Sequence, residues 1–451
     1  MPFNRRSNIL HVKLFFVCFL LLSFVKCADK AYADNEFLDR LSSEEQAVIE
    51  YVDKNQDSAL SLLKTLVNIN SGTLNIEGVK NVGTIVQAKL NDLGFTTRWE
   101  NMPTELNRAG HLVATQFGKK GKRVLLIGHL DTVFEPSPLN IPFKVMGRRA
   151  TGNGVQDMKG GVVSMLLALE ALKKTGALED RTIVVVLLGD EEHAGRPLAI
   201  SRKTLMDIAR QSDVALGFEF GSDSLDSSAI LSRRGISRWI LDVSAKSAHS
   251  SKIYQEDTGS GAIMAAVQFL QSFRNKLVEL EGVTFNPGII LGGTMVNYEP
   301  AVSQGGASGK ANVVASRTMI EGDLRFTSGD QEKQAKDIML KVLEEKFPHA
   351  IAKVSFVEGY PAMSNSVENE KLLHILSQVS LDLGGSPVTS QDNALRGAAD
   401  ISFAAPYVSA ALDGLGAIGG KAHTAEEWLD LDAYSMVIKR AALLIYRLTH
   451  P

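Results

Sequence analysis

The feature that most constrains the fold of this chain is a run of β-branched and other apolar residues at 182–188 (TIVVVLL). A strand that is apolar at nearly every position is buried on both faces, as in parallel sheets covered by helices. A second apolar run at 124–127, an apolar helical pattern at 161–173 and a candidate strand at 214–218 surround it. This order of strand, helix and strand predicts an α/β layer with parallel pairing.

The hydrophobic pattern changes in the middle of the chain. Candidate strands with one polar face alternate with helices in the order β-α-β-β-α-β over residues 233–355, which indicates a separate α+β module with an antiparallel sheet. The stretch 303–310 (SQGGASGK) is interpreted as a flexible loop. The sequence therefore predicts one larger α/β domain in two parts, 34–232 and 356–451, interrupted by the inserted module.

The first 33 residues read as a signal peptide and are excluded from the fold. Basic residues precede an apolar run at 14–25, which is short for a membrane span but typical of a signal-peptide core. An A-x-A pattern at 31–33 offers a cleavage site. We expect residues 1–33 to direct export to the periplasm or the medium, with no stable membrane association after cleavage. An uncleaved N-terminal anchor is the alternative.

Cysteine content and charge exclude several classes of protein. The chain has 2 cysteines, Cys18 and Cys27, and both lie in the signal segment. A disulfide-rich scaffold and a cysteine-type zinc finger are therefore excluded. The formal net charge of −3 leaves no basic excess to neutralise a phosphate backbone, so nucleic acid is not an expected partner. A length of 451 residues and 45% hydrophobic residues fit a globular protein of more than one domain.

Histidine and carboxylate side chains recur near the ends of the predicted strands, mostly next to glycine. They are His129, Asp131, Asp157, Glu191, Glu192, Glu219 and His423. Each alone has an ordinary explanation, such as a surface pair, an acidic turn or a helix N-cap. Ligands in α/β sheets lie beyond the carboxyl ends of the strands, where such side chains would converge. Neighbouring carboxylates repel one another unless cations lie between them, so the whole set favours a metal centre.

The kinds of side chain indicate which metal and which chemistry to expect. Imidazole and carboxylate ligands without thiolate suit zinc, with manganese or cobalt as alternatives. One carboxylate can bridge two ions, as in two-metal hydrolases. Of the adjacent pair Glu191 and Glu192, one can bind metal while the other acts as a general base on water.

The motifs GHLDTV, GNGVQDMKGG, GDEE, FE and GGKAHTAEEW resemble, in order and spacing, those of a family of co-catalytic zinc metallopeptidases. This family includes carboxypeptidase G, succinyl-diaminopimelate desuccinylase, acetylornithine deacetylase, aminoacylase and carnosinase. The resemblance covers about residues 61–448. It implies a zinc-exopeptidase-type catalytic domain with a mixed, largely parallel sheet, and it makes the inserted α+β module a lid and dimerisation domain. It also implies two Zn²⁺ per subunit and a homodimer.

The same resemblance assigns roles to the metal-binding residues. His129 is expected to bind one zinc ion and His423 the other, and Asp157 is expected to bridge both. Glu192 would share the zinc of His423, and Glu219 would share that of His129.

Further roles follow from the same motifs. Glu191 is expected to be the general base, and Asp131 is expected to hold the His129 imidazole. The peptide bond between Asp157 and Met158 is expected to be cis. In the inserted module, His249 is expected to stabilise the oxyanion, often across the dimer; a surface histidine is the alternative.

Residues for the substrate are also implied by the resemblance. Asn312 and Arg325 are expected to grip the substrate carboxylate, for which the arginine fork is suited. Gly397 and Asp400 are expected to line the pocket, with an ordinary turn as the alternative. The chain departs from the family pattern in a longer loop at 298–310, near the expected pocket.

The expected activity is hydrolysis of the amide bond of N-acyl amino acids or short peptides with a free C-terminal carboxylate. Among members of the family, a glutamate carboxypeptidase fits best, and a dipeptidase or an N-acyl-amino-acid deacylase is the alternative. A metal-dependent binding protein without turnover is a further alternative. The intact Glu191 argues against it, because a protein without catalysis needs no base.

Overall fold

The computed structural model describes residues 40–137, 140–221, 228–345, 349–391 and 397–450. The predicted signal segment, 1–33, and both cysteines lie outside these residues. Within the described ranges, no helix has both the length and the apolar character needed to cross a membrane.

The helices belong to three groups, namely the first domain part, the inserted module and the second domain part. They are α1 (Ser43–Lys54), α2 (Gln56–Val67), α3 (Ile76–Asp92), α4 (Gly161–Lys174), α5 (Leu198–Ser201), α6 (Lys203–Ala209), α7 (Gly261–Leu277), α8 (Gly329–Val342), α9 (Val367–Asp382), α10 (Ile401–Ala404) and α11 (Leu431–Thr449).

Over the described ranges, the strands form two principal sheets and three smaller ones. They are β1 (Thr96–Glu100), β2 (His111–Gln116), β3 (Lys120–His129), β4 (Lys144–Met146), β5 (Arg149–Thr151), β6 (Arg181–Leu188), β7 (Val214–Gly217), β8 (Ser228–Ala229), β9 (Gly235–Ala245), β10 (Thr284–Gly293), β11 (Met295–Glu299), β12 (Gln304–Ser308), β13 (Arg317–Phe326), β14 (Ala350–Val357), β15 (Thr389–Ser390), β16 (Ala410–Leu412), β17 (Gly419–Gly420) and β18 (Trp428–Asp430).

The central sheet has the strand order β1-β2-β6-β3-β7-β16. Its four strands β6, β3, β7 and β16 run parallel, whereas β1 and β2 pair antiparallel at one edge. Along β3, Leu126 packs into the core shared with α4 and α11, and Leu125 packs into the core shared with α5, α6 and α10. The parallel strands are therefore buried on both faces, as their apolar sequences predict.

The inserted module has a four-stranded antiparallel sheet in the order β10-β13-β9-β14. Helices α7 and α8 cover one face, where Trp239, Phe273 and Met339 form a second hydrophobic core. The α/β fold with an inserted α+β unit is thus confirmed. The domain boundaries at 232/233 and 355/356 remain predictions.

The interpretation of residues 303–310 as a flexible loop is wrong for most of that stretch. Gln304–Ser308 form β12, which pairs antiparallel with β11 in a hairpin. Val296 of this hairpin packs against Ile240 and Met319 on the sheet face that the helices leave open. Glycine and serine have low strand propensity, so this strand depends on its pairing with β11 and carries little signal in its own sequence.

Candidate metal centre and active site

The parallel strands deliver the predicted ligands to one edge of the central sheet. His129 is the last residue of β3. Glu191 follows the end of β6 by three residues, and Glu219 follows the end of β7 by two. Because β6, β3 and β7 are parallel neighbours, their carboxyl ends lie side by side, and these three side chains meet there.

Asp157 is delivered by a tight turn, Val155–Gly160, that leads into α4. The peptide bond between Asp157 and Met158 is cis, as predicted. The turn is held by Glu427, a buried residue directly before β18. Its Oε1 accepts the main-chain N–H groups of Gln156 and Asp157 at 2.7 and 2.9 Å, and its Oε2 accepts that of Gly154 at 2.9 Å.

Asp157 lies between the two histidines. Its Oδ1 is 3.2 Å from His129 Nε2, and its Oδ2 is 2.9 Å from His423 Nε2. Each imidazole has one further carboxylate beside the same nitrogen. Glu219 Oε1 is 3.2 Å from His129 Nε2, and Glu192 Oε2 is 3.4 Å from His423 Nε2. The result is two half-sites of one histidine and one glutamate, joined by a shared aspartate.

Asp131 orients both His129 and the loop after β6. The Nδ1 atom of His129 lies 3.0 Å from the Asp131 main-chain oxygen and 3.4 Å from its carboxylate. These acceptors favour a proton on Nδ1, which leaves the lone pair of Nε2 directed at the cluster. The Asp131 carboxylate also accepts the N–H groups of Glu191 and Glu192 at 3.0 and 3.1 Å, and the Thr73 hydroxyl at 2.6 Å.

Burial and neighbouring negative charge raise the pKa values of the three glutamates of this cluster, whereas hydrogen bonds to both histidines outweigh burial and lower the pKa of Asp157. Burial, followed by the nearby charge of Asp157, raises the pKa of Glu192 to about 8 and also raises the pKa of Glu219. Burial likewise raises the pKa of Glu191 well above its usual value. The hydrogen bond to Asp157 raises the pKa of His423 to about 9. Burial and the neighbouring negative charge therefore disfavour ionisation of these glutamates, and bound cations would offset both effects.

The donor set fits divalent cations. Ligand atoms of His129, Glu191 and Glu219 lie within 4.8 Å of one another. The same holds for His129, Asp157 and Glu192. Glu192 Oε1 is buried and has no hydrogen-bond partner among the described residues, which leaves a lone pair available to a cation. Imidazole and carboxylate donors without thiolate match zinc, manganese or cobalt.

Glu191 lies outside the two histidine–glutamate half-sites that Asp157 joins. It lines a cavity of about 10 Å³ together with His129, Glu219 and Asp400. This volume accommodates at most one water molecule. Asp400, predicted to line the substrate pocket, is buried and lines this cavity, and its Oδ1 accepts a hydrogen bond from Arg202 at 2.6 Å.

Four predicted residues do not join the cluster within one chain. His249 is exposed, and its Nδ1 contacts Ser251. Asn312 and Gly397 are exposed as well, and Arg325 pairs with Asp323 at 2.9 Å. In the described part of the chain, none of the four has a hydrogen bond or ion pair with the histidine and carboxylate cluster. Their predicted roles require a second subunit, a bound substrate or a movement of the inserted module.

Sequence reasoning missed several residues that support the cluster. Glu427 lies inside the motif GGKAHTAEEW, so its proximity to His423 was a usable signal. Thr73, Arg202 and Tyr360 have no local signal, because their contacts with the site residues come from distant parts of the chain.

Comparison with known proteins gives one consistent assignment. Residues 125–447 match peptidase family M20/M25/M40, which confirms the resemblance inferred from the motifs. Carboxypeptidase G2 of Pseudomonas sp. (strain RS-16) is 27% identical over 393 residues, which cover 86% of this chain and 89% of that protein.

Solved structures share the fold. Aminopeptidase PepT of Bacillus cereus ATCC 10987 has a TM-score of 0.66 at 16% identity, covering 87% of this chain and 99% of its own. Bacillus subtilis YxeP, described as a dinuclear metal binding peptidase, has a TM-score of 0.60 at 13% identity, covering 88% and 99%. On its fold, its ligand cluster and its sequence match, the chain belongs to peptidase family M20/M25/M40 and is a metallopeptidase.

Proposed function

We propose that the protein is an exported di-zinc metallopeptidase that hydrolyses the amide bond of N-acyl amino acids or short peptides with a free C-terminal carboxylate. A glutamate carboxypeptidase is the favoured form, supported by the similarity to carboxypeptidase G2 over 86% of the chain. The observation that carries the proposal is the placement of Asp157 between His129 and His423, with a glutamate beside each imidazole.

The distances around Asp157 support one assignment of ligands to two ions. His129, Asp157 and Glu219 would hold one zinc, and His423, Asp157 and Glu192 would hold the other. When bound, zinc supplies polarisation of the scissile carbonyl and lowers the pKa of water. Manganese or cobalt are possible substitutes, because the same donors suit them.

Glu191 is the residue that moves the proton. Its carboxylate accepts a proton from the attacking water, whose oxygen forms the new bond to the carbonyl carbon. The same proton then passes from Glu191 to the leaving nitrogen as the C–N bond breaks, which yields a carboxylic acid and an amine. The hydrogen bonds of the Asp131 carboxylate to the N–H groups of Glu191 and Glu192 fix this loop for the transfer.

The inserted module supplies His249, Asn312 and Arg325, and the second part of the larger domain supplies Gly397. Arg325 and Asn312 are proposed to bind the substrate carboxylate, and Gly397 to border the pocket. His249 is proposed to stabilise the oxyanion of the tetrahedral intermediate. The His249 side chain is exposed, and its hydrogen bonds among the described residues are to Ser251 of its own loop, so this role fits delivery to the active site of a second subunit.

A homodimer through the inserted module is part of the proposal. Helix α7 exposes Ile263, Met264 and Val267, and the edge strand β10 exposes Ile290. Exposed apolar side chains beside a strand edge with no partner strand in the described part of the chain favour association with another copy.

A substrate panel on the zinc-loaded protein, without residues 1–33, tests the function. Release of glutamate from folate-like or glutamyl substrates is expected to exceed release of acetate or succinate from acylated amino acids. Faster cleavage of free dipeptides or acylated amino acids would favour the dipeptidase or deacylase alternative. No turnover on any carboxylate-bearing substrate would contradict the proposal and favour a metal-dependent binding protein.

A further inference from the structure

Two chain segments connect the central sheet to the inserted module, and they run side by side. The main chains of Arg233 and Met363 exchange two hydrogen bonds of 2.9 and 3.0 Å, and Ile236 N donates to Tyr360 O at 2.9 Å. Gly359 packs so closely on Ile236 that a Cβ atom there would lie 1.9 Å from the Ile236 oxygen. The outgoing and returning connections therefore form one hydrogen-bonded pair. Since they are the covalent links between the module and the central sheet, a movement of the module would act through them, and we call this pair the paired hinge.

The returning connection contacts the loop that carries Glu191. The Tyr360 hydroxyl oxygen lies 2.7 Å from Arg202 Nη2 and 3.1 Å from the Glu191 main-chain oxygen. Since a guanidinium group can only donate, the hydroxyl accepts from Arg202 and directs its own O–H at Glu191. A second contact joins the same two segments, because Arg196 Nη1 donates to the Glu358 main-chain oxygen at 2.5 Å.

Arg202 fixes the direction of this hydroxyl. Its side chain is fully buried, and each of its three nitrogens has an acceptor. Nε donates to Asp400 at 2.6 Å, and Nη1 donates to the Asp190 carboxylate at 2.7 Å. Nη2 donates to the Asp190 main-chain oxygen at 3.0 Å as well as to Tyr360. Asp190 directly precedes Glu191. The hydrogen bonds of Arg202 to Asp190 and of Tyr360 to Glu191 therefore both end in the loop that follows β6.

We propose that Tyr360 is a positioning residue for Glu191 and that it makes the placement of the general base depend on the placement of the inserted module. The inference rests on the proposed function, in which Glu191 is the base. Tyr360 belongs to the hinge, and its hydroxyl holds the Glu191 main chain. A rotation of the module about the paired hinge moves Tyr360 and, through this hydrogen bond, the loop that presents the Glu191 carboxylate.

The substitution Tyr360→Phe tests the proposal, because it keeps the ring beside Arg202 and removes only the hydroxyl. The expected result is a kcat lowered about tenfold with KM changed less than about twofold, since the base is misplaced while substrate binding is retained. Amide hydrogen exchange at residues 190–192 is expected to accelerate in the same variant. Arg196→Ala, at an exposed residue, is expected to show a smaller loss of kcat in the same direction.

Tyr51→Phe is the matched control. It removes a tyrosine hydroxyl that donates to Glu170 Oε1 at 2.9 Å, away from the cluster, and it is expected to leave kcat and exchange at residues 190–192 unchanged. An active wild type with an unchanged kcat in Tyr360→Phe would overturn this inference alone. So would a loss of kcat that accompanies faster exchange throughout the domain, which would mark a purely structural role. An inactive wild type would instead overturn the proposed function.

Discussion

The Glu427 side chain binds the main chain of Asp157, since its Oε1 accepts the Asp157 N–H at 2.9 Å. The same carboxylate accepts two further N–H groups of the turn, those of Gly154 and Gln156. A buried carboxylate with three main-chain donors fixes the backbone, and so fixes the direction in which the Asp157 side chain points. The relationship links the C-terminal motif that carries His423 to the turn that carries the shared aspartate.

Glu427→Gln is expected to weaken metal binding. The amide has one acceptor oxygen, so its NH₂ group faces at least one of the main-chain N–H groups, which leaves a buried donor unsatisfied at a cost of about 1–3 kcal/mol. Loss of groups that orient ligands lowers metal affinity by about 10- to 100-fold. Competition with a chromophoric chelator measures this affinity. Glu426→Gln, at the exposed neighbour, is the control, and equal affinities in the two variants would refute the role of Glu427.

Glu191→Gln is expected to abolish most hydrolysis without removing metal. The amide cannot accept the proton from water, and loss of a general base lowers kcat by about 10²- to 10⁴-fold. Metal content measured on the same preparation is expected to match the wild type, because the proposed ligands of each ion are Asp157 with one histidine and one glutamate, and Glu191 lies near His129 and Glu219 without being one of them. Wild-type turnover in this variant would contradict the mechanism, and loss of metal would show that Glu191 is a ligand.

Arg325→Lys is expected to raise KM for substrates with a free C-terminal carboxylate. Lysine replaces the two-pronged guanidinium contact by a single point charge, which costs about 10- to 100-fold in KM. The matched control is Arg317→Lys on the same strand, where the side chain pairs with Asp242. Steady-state kinetics on one glutamyl substrate compare the two variants. Equal KM values in Arg325→Lys and Arg317→Lys would show that Arg325 does not bind the substrate carboxylate.

Met264→Glu is expected to convert the proposed dimer into monomers and to lower kcat, because His249 would then lack the active site of a second subunit. Met264 is exposed on α7. Val367→Glu, at an exposed apolar residue at the start of α9, is the control and is expected to remain dimeric. Light scattering coupled to size exclusion measures the mass. A wild type that is monomeric and fully active would rule out delivery of His249 across an interface.

The fold was predictable where strands are buried on both faces. The apolar runs that became β3 and β6 carry a strong signal, because burial by two helical layers leaves almost no polar position. Residues 304–308 were misread for the opposite reason. All five residues of β12 are exposed, and its glycines and serine show no periodicity, so only pairing with β11 defines the strand.

The ligands were predictable because each follows a recognisable strand end or glycine-rich motif. The groups that hold them in place were not. Arg202 and Tyr360 lie 158 residues apart, on either side of the inserted module in the sequence. Thr73 reaches Asp131 across 58 residues. Such contacts produce no characteristic spacing or motif in the sequence, since tertiary packing sets their geometry.

The metal stoichiometry of the purified protein is the most direct test of the account. After zinc loading and removal of excess metal, mass spectrometry of the metal content is expected to give two ions per wild-type chain. His129→Ala and His423→Ala are each expected to retain about one ion, because each variant loses the imidazole of one half-site. A wild-type chain that binds no metal, or two variants that both keep two ions, would contradict the proposed shared-aspartate centre.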